Sequence, residues 1–235
     1  MVLSIDFDYI MAPCIQDYNS KINANEIFIE RKYTFSKLEY KSEYDKEKLE
    51  WLKSLIKQLD PSRTKCYVIN DHSEVVTALT NEYNLHNYRP PYQVINIDHH
   101  HDLGYRFDFG DCHCANWAQY LINIGVMDKY IWVRNNNSDT VIPEEHSLCS
   151  DMIQTLQQEE FILDPNKIDV FVLCLSYPWI PPEFDKLILG TIGFVCNHWG
   201  GGENVTFLEE NYEASIHTRR YFQYMDKLEN IKVSY

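Results

Sequence analysis

A mostly apolar run, Val94-Ile95-Asn96-Ile97, ends abruptly in Asp98-His99-His100-His101-Asp102. The run has the length and composition of a buried strand. Packing gives no reason for two carboxylates and three imidazoles where it stops. Buried Asp and His are unfavourable unless paired or bound to a metal, and carboxylate oxygen and imidazole nitrogen are ligands for manganese, zinc and iron. The expectation is a metal site at the C-terminal edge of a strand.

The pattern occurs twice more. Val2-Leu3-Ser4-Ile5 leads into Asp6-Phe7-Asp8. Two acids two apart on an extended chain point to the same side, where each raises the other's pKa, and a shared divalent cation would remove that repulsion. Cys66-Tyr67-Val68-Ile69 leads into Asn70-Asp71-His72-Ser73. A single histidine after a strand is more often a hydrogen-bonding residue than a ligand, but this one stands at a third strand end. Further strands are expected at Glu26–Arg31, Tyr130–Val133 and Ile168–Leu175. Apolar spacing predicts helices at Asp45–Leu59, Glu74–Tyr83, Asn116–Ile124 with Gly125 as its stop, Met152–Glu160, Glu183–Cys196 and Leu208–Leu228. Strands alternating with helices predict an α/β fold, a three-layer α/β/α sandwich over a mainly parallel sheet, as one domain spanning residues 1–235. Such sheets bind ligands at the carboxyl ends of their strands, where Asp6, Asp8, His72, Asp98, His100 and Asp102 all fall.

Charge and cysteine usage narrow the function. With 21 basic against 35 acidic residues the net charge is −14, which argues against a nucleic-acid partner and suits a cationic one. No apolar run reaches the ~20 residues of a membrane span, and Met1–Asp6 lacks the basic region of a signal peptide. Seven cysteines, several inside apolar runs, read as reduced, cytoplasmic usage. Cys112-His113-Cys114 has no second pair at structural-zinc spacing.

The three clusters resemble the metal-binding motifs of arginases and related ureohydrolases. Asn70-Asp71-His72-Ser73 corresponds to a Gly-Gly-Asp-His type, with Ile69-Asn70 in place of the glycines; Asp98-His99-His100-His101-Asp102 is an Asp-x-His-x-Asp; Ser4-Ile5-Asp6-Phe7-Asp8 is a Ser-x-Asp-x-Asp. The last motif comes first here, so the resemblance implies an arginase/deacetylase-like fold in circularly permuted order. Asp71-His72-Ser73-Glu74-Val75, Asp98 to Leu103 and Asn116-Trp117 are similar to an arginase-like family that includes bacterial peptide arginases. The likeness covers roughly residues 1–135.

That resemblance implies two manganese(II) ions, one held by His72, Asp98, Asp102 and Asp6, the other by His100, Asp98, Asp6 and Asp8, with Asp98 and Asp6 bridging. It assigns His99 and His101 to neither. Two ions roughly 3.5–4 Å apart can make water nucleophilic at neutral pH. The implied reaction converts arginine side chains of a ribosomally made precursor peptide to ornithine and urea. Asp102 would orient the attacking water and take its proton, His113 is the candidate proton donor to the leaving nitrogen, with His198 behind it, and Glu30 and Asn116 are the candidates for substrate binding. Two other readings are an Asp-His-His metal phosphoesterase, because Asp98-His99-His100 is literally that motif, and a metal-binding module without turnover. The phosphoesterase reading leaves His72 and Asp102 without roles, and only 33 residues follow Gly202 to build that class's second domain.

Overall fold

The computed structural model describes residues 1–11, 43–86, 90–104, 112–136, 138, 142, 150–177 and 180–208. The strands are β1 Val2–Asp6, β2 Lys65–Ile69, β3 Tyr92–Asp98, β4 Met127–Arg134, β5 Ile153–Gln157, β6 Val170–Cys174 and β7 Val205–Phe207. Between them lie helices α1 Lys46–Ile56, α2 Val75–His86, α3 Trp117–Asn123 and α4 Asp185–His198. All strand pairs are parallel, in the order β5-β4-β3-β1-β6-β2-β7.

Alternation along each strand sorts the core into two layers. Leu3, Ile5, Ile95, Ile97, Phe171 and Leu173 face α1 and α4, meeting Leu49, Leu52, Leu55, Ile56, Ile188, Ile192 and Val195. Val2, Val94, Tyr130, Trp132, Val170 and Val172 face the other way, onto Val75, Ala78 and Leu79 of α2 and Trp117, Ala118 and Leu121 of α3. Helices therefore cover both faces of one parallel sheet, the three-layer α/β/α sandwich expected. All five residues of β6 are buried, and each large apolar side chain so buried contributes roughly 1.5–3 kcal/mol.

The helix boundaries follow local chemistry. Asp45 caps α1, its carboxylate accepting from the Lys48 N–H at 3.0 Å. Gly125 ends α3 in the left-handed region, φ +72°. Asp71 and Glu74 form a capping box around the short 3₁₀ turn His72–Glu74 that leads into α2, which fixes the loop carrying His72.

Three expectations need revision or fall elsewhere. Met152–Glu160 is not a helix: Ile153–Gln157 is edge strand β5, paired in register with Tyr130–Arg134. A half-exposed edge strand needs no continuous apolar run, so Gln154, Thr155 and Gln157 disguised it. Strand β7 is an unanticipated second edge, too short at three residues to show a period. The strand expected at Glu26–Arg31, with Glu30, and the tail helix beyond Leu208 lie outside the described residues.

The parallel arrangement brings all strand C-termini to one edge of the sheet. Strands β3, β1, β6 and β2 are consecutive there, so Asp98, Asp6, Cys174 and the loop after Ile69 stand side by side. The chain leaves β1 for β2 on one side and then crosses to β3 on the other, a change of direction that in such sheets opens a crevice at the strand ends.

Candidate metal centre

His72 lies at the middle of this edge, 3% exposed. Its Nδ1 is 3.1 Å from Asp6 Oδ2, 3.1 Å from Asp98 Oδ2 and 2.9 Å from Asp102 Oδ2. Its Nε2 meets the Ser4 hydroxyl at 2.8 Å. A ring with Nε2 hydrogen-bonded to Ser4 presents Nδ1 to three carboxylates at once, the orientation a partner of the second nitrogen imposes on a metal-binding imidazole.

A second group adjoins the first. His100 Nδ1 is 3.3 Å from Asp8 Oδ2 and 3.9 Å from Asp98 Oδ1. One donor atom each from Asp8, Asp98 and His100 fits within 4.8 Å, as does one each from His72, Asp98 and Asp102. Asp98 belongs to both groups, one oxygen towards each ring. Asp6 lies on the His72 side: its Oδ2 accepts from the Ser176 hydroxyl at 2.6 Å and its Oδ1 from the Asp8 N–H at 2.9 Å. The His100 side chain is 42% exposed, so this end opens to solvent while the His72 end is closed.

The acids come together differently from the simple extended-chain expectation. After Asp6 the chain turns into a 3₁₀ helix, Phe7–Ile10, which Asp6 itself caps. The Asp6 side chain holds the Asp8 N–H, and this turn sets the second acid in place. Two site residues have left-handed backbones, Asp102 at φ +52° and Ser176 at φ +44°. Such conformations cost on the order of 1–3 kcal/mol for non-glycine residues and gather at functional sites.

Neighbours hold the carboxylates. The Trp117 indole N–H donates to Asp102 Oδ2 at 2.6 Å, and its ring packs 5.1 Å from that of His72. Asn96 donates to Asp98 Oδ2 at 2.9 Å and to the Tyr130 hydroxyl at 3.0 Å, and the His100 N–H donates to Asp98 Oδ1 at 2.8 Å. Asn96 Oδ1 and His99 Nδ1 are buried without a hydrogen-bond partner among the described residues.

Four carboxylates share the site with two imidazoles, so even two imidazoliums leave a surplus of two negative charges. The protonation pattern reflects this stress. Burial and then the Asp6 charge push Asp8 up to about 7. Burial and the Asp98 charge raise Asp102 well above the carboxylate range. Burial opposes charge on His100, but its hydrogen bond to Asp8 and the charges of Asp8, Asp98 and Asp102 outweigh it, raising the ring to about 10. Burial likewise opposes charge on His72, and the Cys174 sulfur and the hydrogen bonds of Asp102, Asp6 and Asp98 overcome it. Two divalent cations in place of those protons would neutralise the four carboxylates with both rings neutral. The donor set, all nitrogen and oxygen around Asp98, fits such ions.

A pH dependence follows. Binding needs Asp8 ionised and His100 neutral. Below about 7 Asp8 carries a proton that an ion must displace, and His100 carries one up to about 10. Manganese affinity should therefore rise with pH, by about tenfold per pH unit for each proton displaced. Calorimetric titration in two buffers of different ionisation enthalpy measures both effects; affinity that falls with pH, or binding without proton release, contradicts this assignment.

Not every residue singled out in the sequence joins the cluster. His113 is exposed, its Nδ1 accepting from the Ala115 N–H at 3.3 Å. Asn116 is buried beside the start of α3, its carbonyl accepting from the His113 N–H at 2.7 Å. His198 Nε2 meets the Leu59 carbonyl at 3.0 Å. His101 Nδ1 accepts from the Leu103 N–H at 3.0 Å, and buried His99 stands edge-on to His100. Conversely, Trp117, Ser176 and Cys174 take places that the sequence did not assign. Trp117 stood within the Asn-Trp pair; Cys174 lies inside the apolar run Ile168–Leu175 and Ser176 follows it, and only strand register reveals their neighbours.

Comparison with protein-family models, curated proteins and solved structures finds no match for the chain. The site's chemistry therefore rests on its own geometry. Among the described residues no helix is long and apolar enough to cross a membrane, and Cys66, Cys112, Cys114, Cys174 and Cys196 are free thiols.

Proposed function

We propose that this chain is a dinuclear manganese hydrolase acting on guanidine groups, converting arginine side chains of a ribosomally made precursor peptide to ornithine with release of urea. The observation that carries the reading is Asp98 shared between the His72 and His100 groups, the arrangement a pair of ions bridged by one carboxylate requires. When bound, two such ions supply the Lewis acidity that makes water nucleophilic at neutral pH.

The protein's own groups divide the remaining work. Ser4 orients the His72 ring, and the Trp117 indole fixes Asp102 beside it. Asp102 would orient the attacking water and accept its proton. The chain's net charge of −14 favours the approach of a cationic guanidinium. The open His100 end supplies the approach for an arginine side chain carried on a peptide. The five free thiols among the described residues support a cytoplasmic setting.

The test is urea release and mass change on a panel of an arginine-containing precursor peptide, free arginine, agmatine and a phosphodiester. The peptide should lose about 42 Da per site, the difference between arginine and ornithine on hydrolysis, while free arginine reacts poorly. Phosphoester cleavage without urea from any guanidine would replace this reading with the phosphoesterase one. Two bound ions with no turnover on any member would replace it with a metal-binding module.

A further inference from the structure

Strand β6 lies between β1 and β2, so the segment carrying His72 must reach Asp6 across its end. The residue at that end is Cys174. It pairs in register with Asp6 on one side and Ile69 on the other, and in-register neighbours in a sheet share a face. Its side chain is 0% exposed. One donor atom each from Asp6, His72 and Cys174 lies within 4.8 Å of the others, so small side-chain shifts would bring them onto one ion with bonds of about 2.0–2.3 Å. Ser176, two residues on, binds Asp6 Oδ2 at 2.6 Å and lies 3.7 Å from the sulfur, which holds the acid beside the thiol.

We infer that Cys174 is a thiolate ligand to the ion on the His72 side, making the two metal positions chemically unlike. This rests on the two-ion reading above. The closed position would offer sulfur as well as nitrogen and oxygen; the open one, Asp8, Asp98 and His100, offers only nitrogen and oxygen. Soft thiolate favours zinc, and carboxylate-rich sites suit manganese, so the closed position should prefer zinc over manganese more strongly than the open one does, while both accept manganese. A ligating thiol gives up its proton outright, here to solvent.

Cobalt(II) titration of the whole chain tests this without turnover, because a thiolate bonded to cobalt produces a charge-transfer band in the near ultraviolet that nitrogen and oxygen ligands do not. The expected result is two cobalt per chain, a band that saturates with one of them, its loss in Cys174→Ser, and its retention in Cys112→Ser and Cys114→Ser. If Cys174→Ser fails to fold, Cys174→Ala takes its place, and a missing band in the unmodified chain refutes the assignment without any variant. No band in the unmodified chain, or a band lost with Cys112 or Cys114, overturns the assignment whatever the stoichiometry. Two cobalt without a band leaves the ion pair standing, and a band with only one cobalt bound sinks the pair while keeping the thiolate.

Discussion

Asp98→Asn should drop bound manganese from two ions per chain to one or none, and reduce urea release by more than the about 10–100-fold that losing an outer-sphere partner costs. Asp98 is the carboxylate common to both groups. Burial alone would raise its pKa, yet the hydrogen bond and charge of His72, with His100 behind it, hold it below the ordinary carboxylate range. It is the acid that most needs a positive partner. The amide keeps the shape and removes the charge, and one of its two positions becomes an N–H donor facing either the His72 ring or the His100 N–H. Ionised Asp98 also pairs with both rings in the ion-free site, so the chelated variant should itself melt below the chelated parent. The gap between metal-loaded and chelated melting temperatures, smaller in the variant than in the parent, reads the lost bridge separately from that damage. Metal analysis and thermal melting read these outcomes. Two retained ions with full turnover would show that Asp98 does not bridge.

Removing the ions should be the largest single change in stability. Ion-free, the site crowds four carboxyl groups and two imidazoles at the strand ends, with Asp8 and Asp102 pushed towards their neutral forms, a crowding of buried ionisable groups that opposes folding. An ion that binds only the folded chain, at about a hundred times its dissociation constant, adds about 2.7 kcal/mol. In a chain of this size each kcal/mol moves the melting temperature by about 2–4 °C. Each ion should thus raise the melting temperature by roughly 5–10 °C, and chelation should reverse the rise. Differential scanning calorimetry with and without manganese checks it; a chelated protein that melts at the same temperature as the metal-loaded one contradicts a resident pair.

The sequence made the strand ends legible because apolar runs stopping at Asp and His are rare and costly. Val2–Ile5, Cys66–Ile69 and Val94–Ile97 each announced a strand, and the polar residues after each meet in space. The edges were not legible. Strand β5 is held by backbone pairing to β4 and carries polar side chains, and β7 is too short for a period. Within the site, the side of β1 on which Asp8 falls depended on a 3₁₀ turn that no alternation pattern signals. Cys174 read as core because it lies inside the apolar run Ile168–Leu175. Its position beside Asp6 is a property of strand order, which places β6 between β1 and β2 although it comes late in the chain. Trp117 read as the apolar face of a helix, and it is that, but its indole N–H also reaches Asp102.

Anomalous scattering from crystals grown with manganese tests the central claim most directly. The expected map has two peaks roughly 3.5–4 Å apart, one bonded to His72 Nδ1 and one to His100 Nδ1, with an oxygen of Asp98 on each. A single peak, or a pair that leaves Asp98 out, would contradict it.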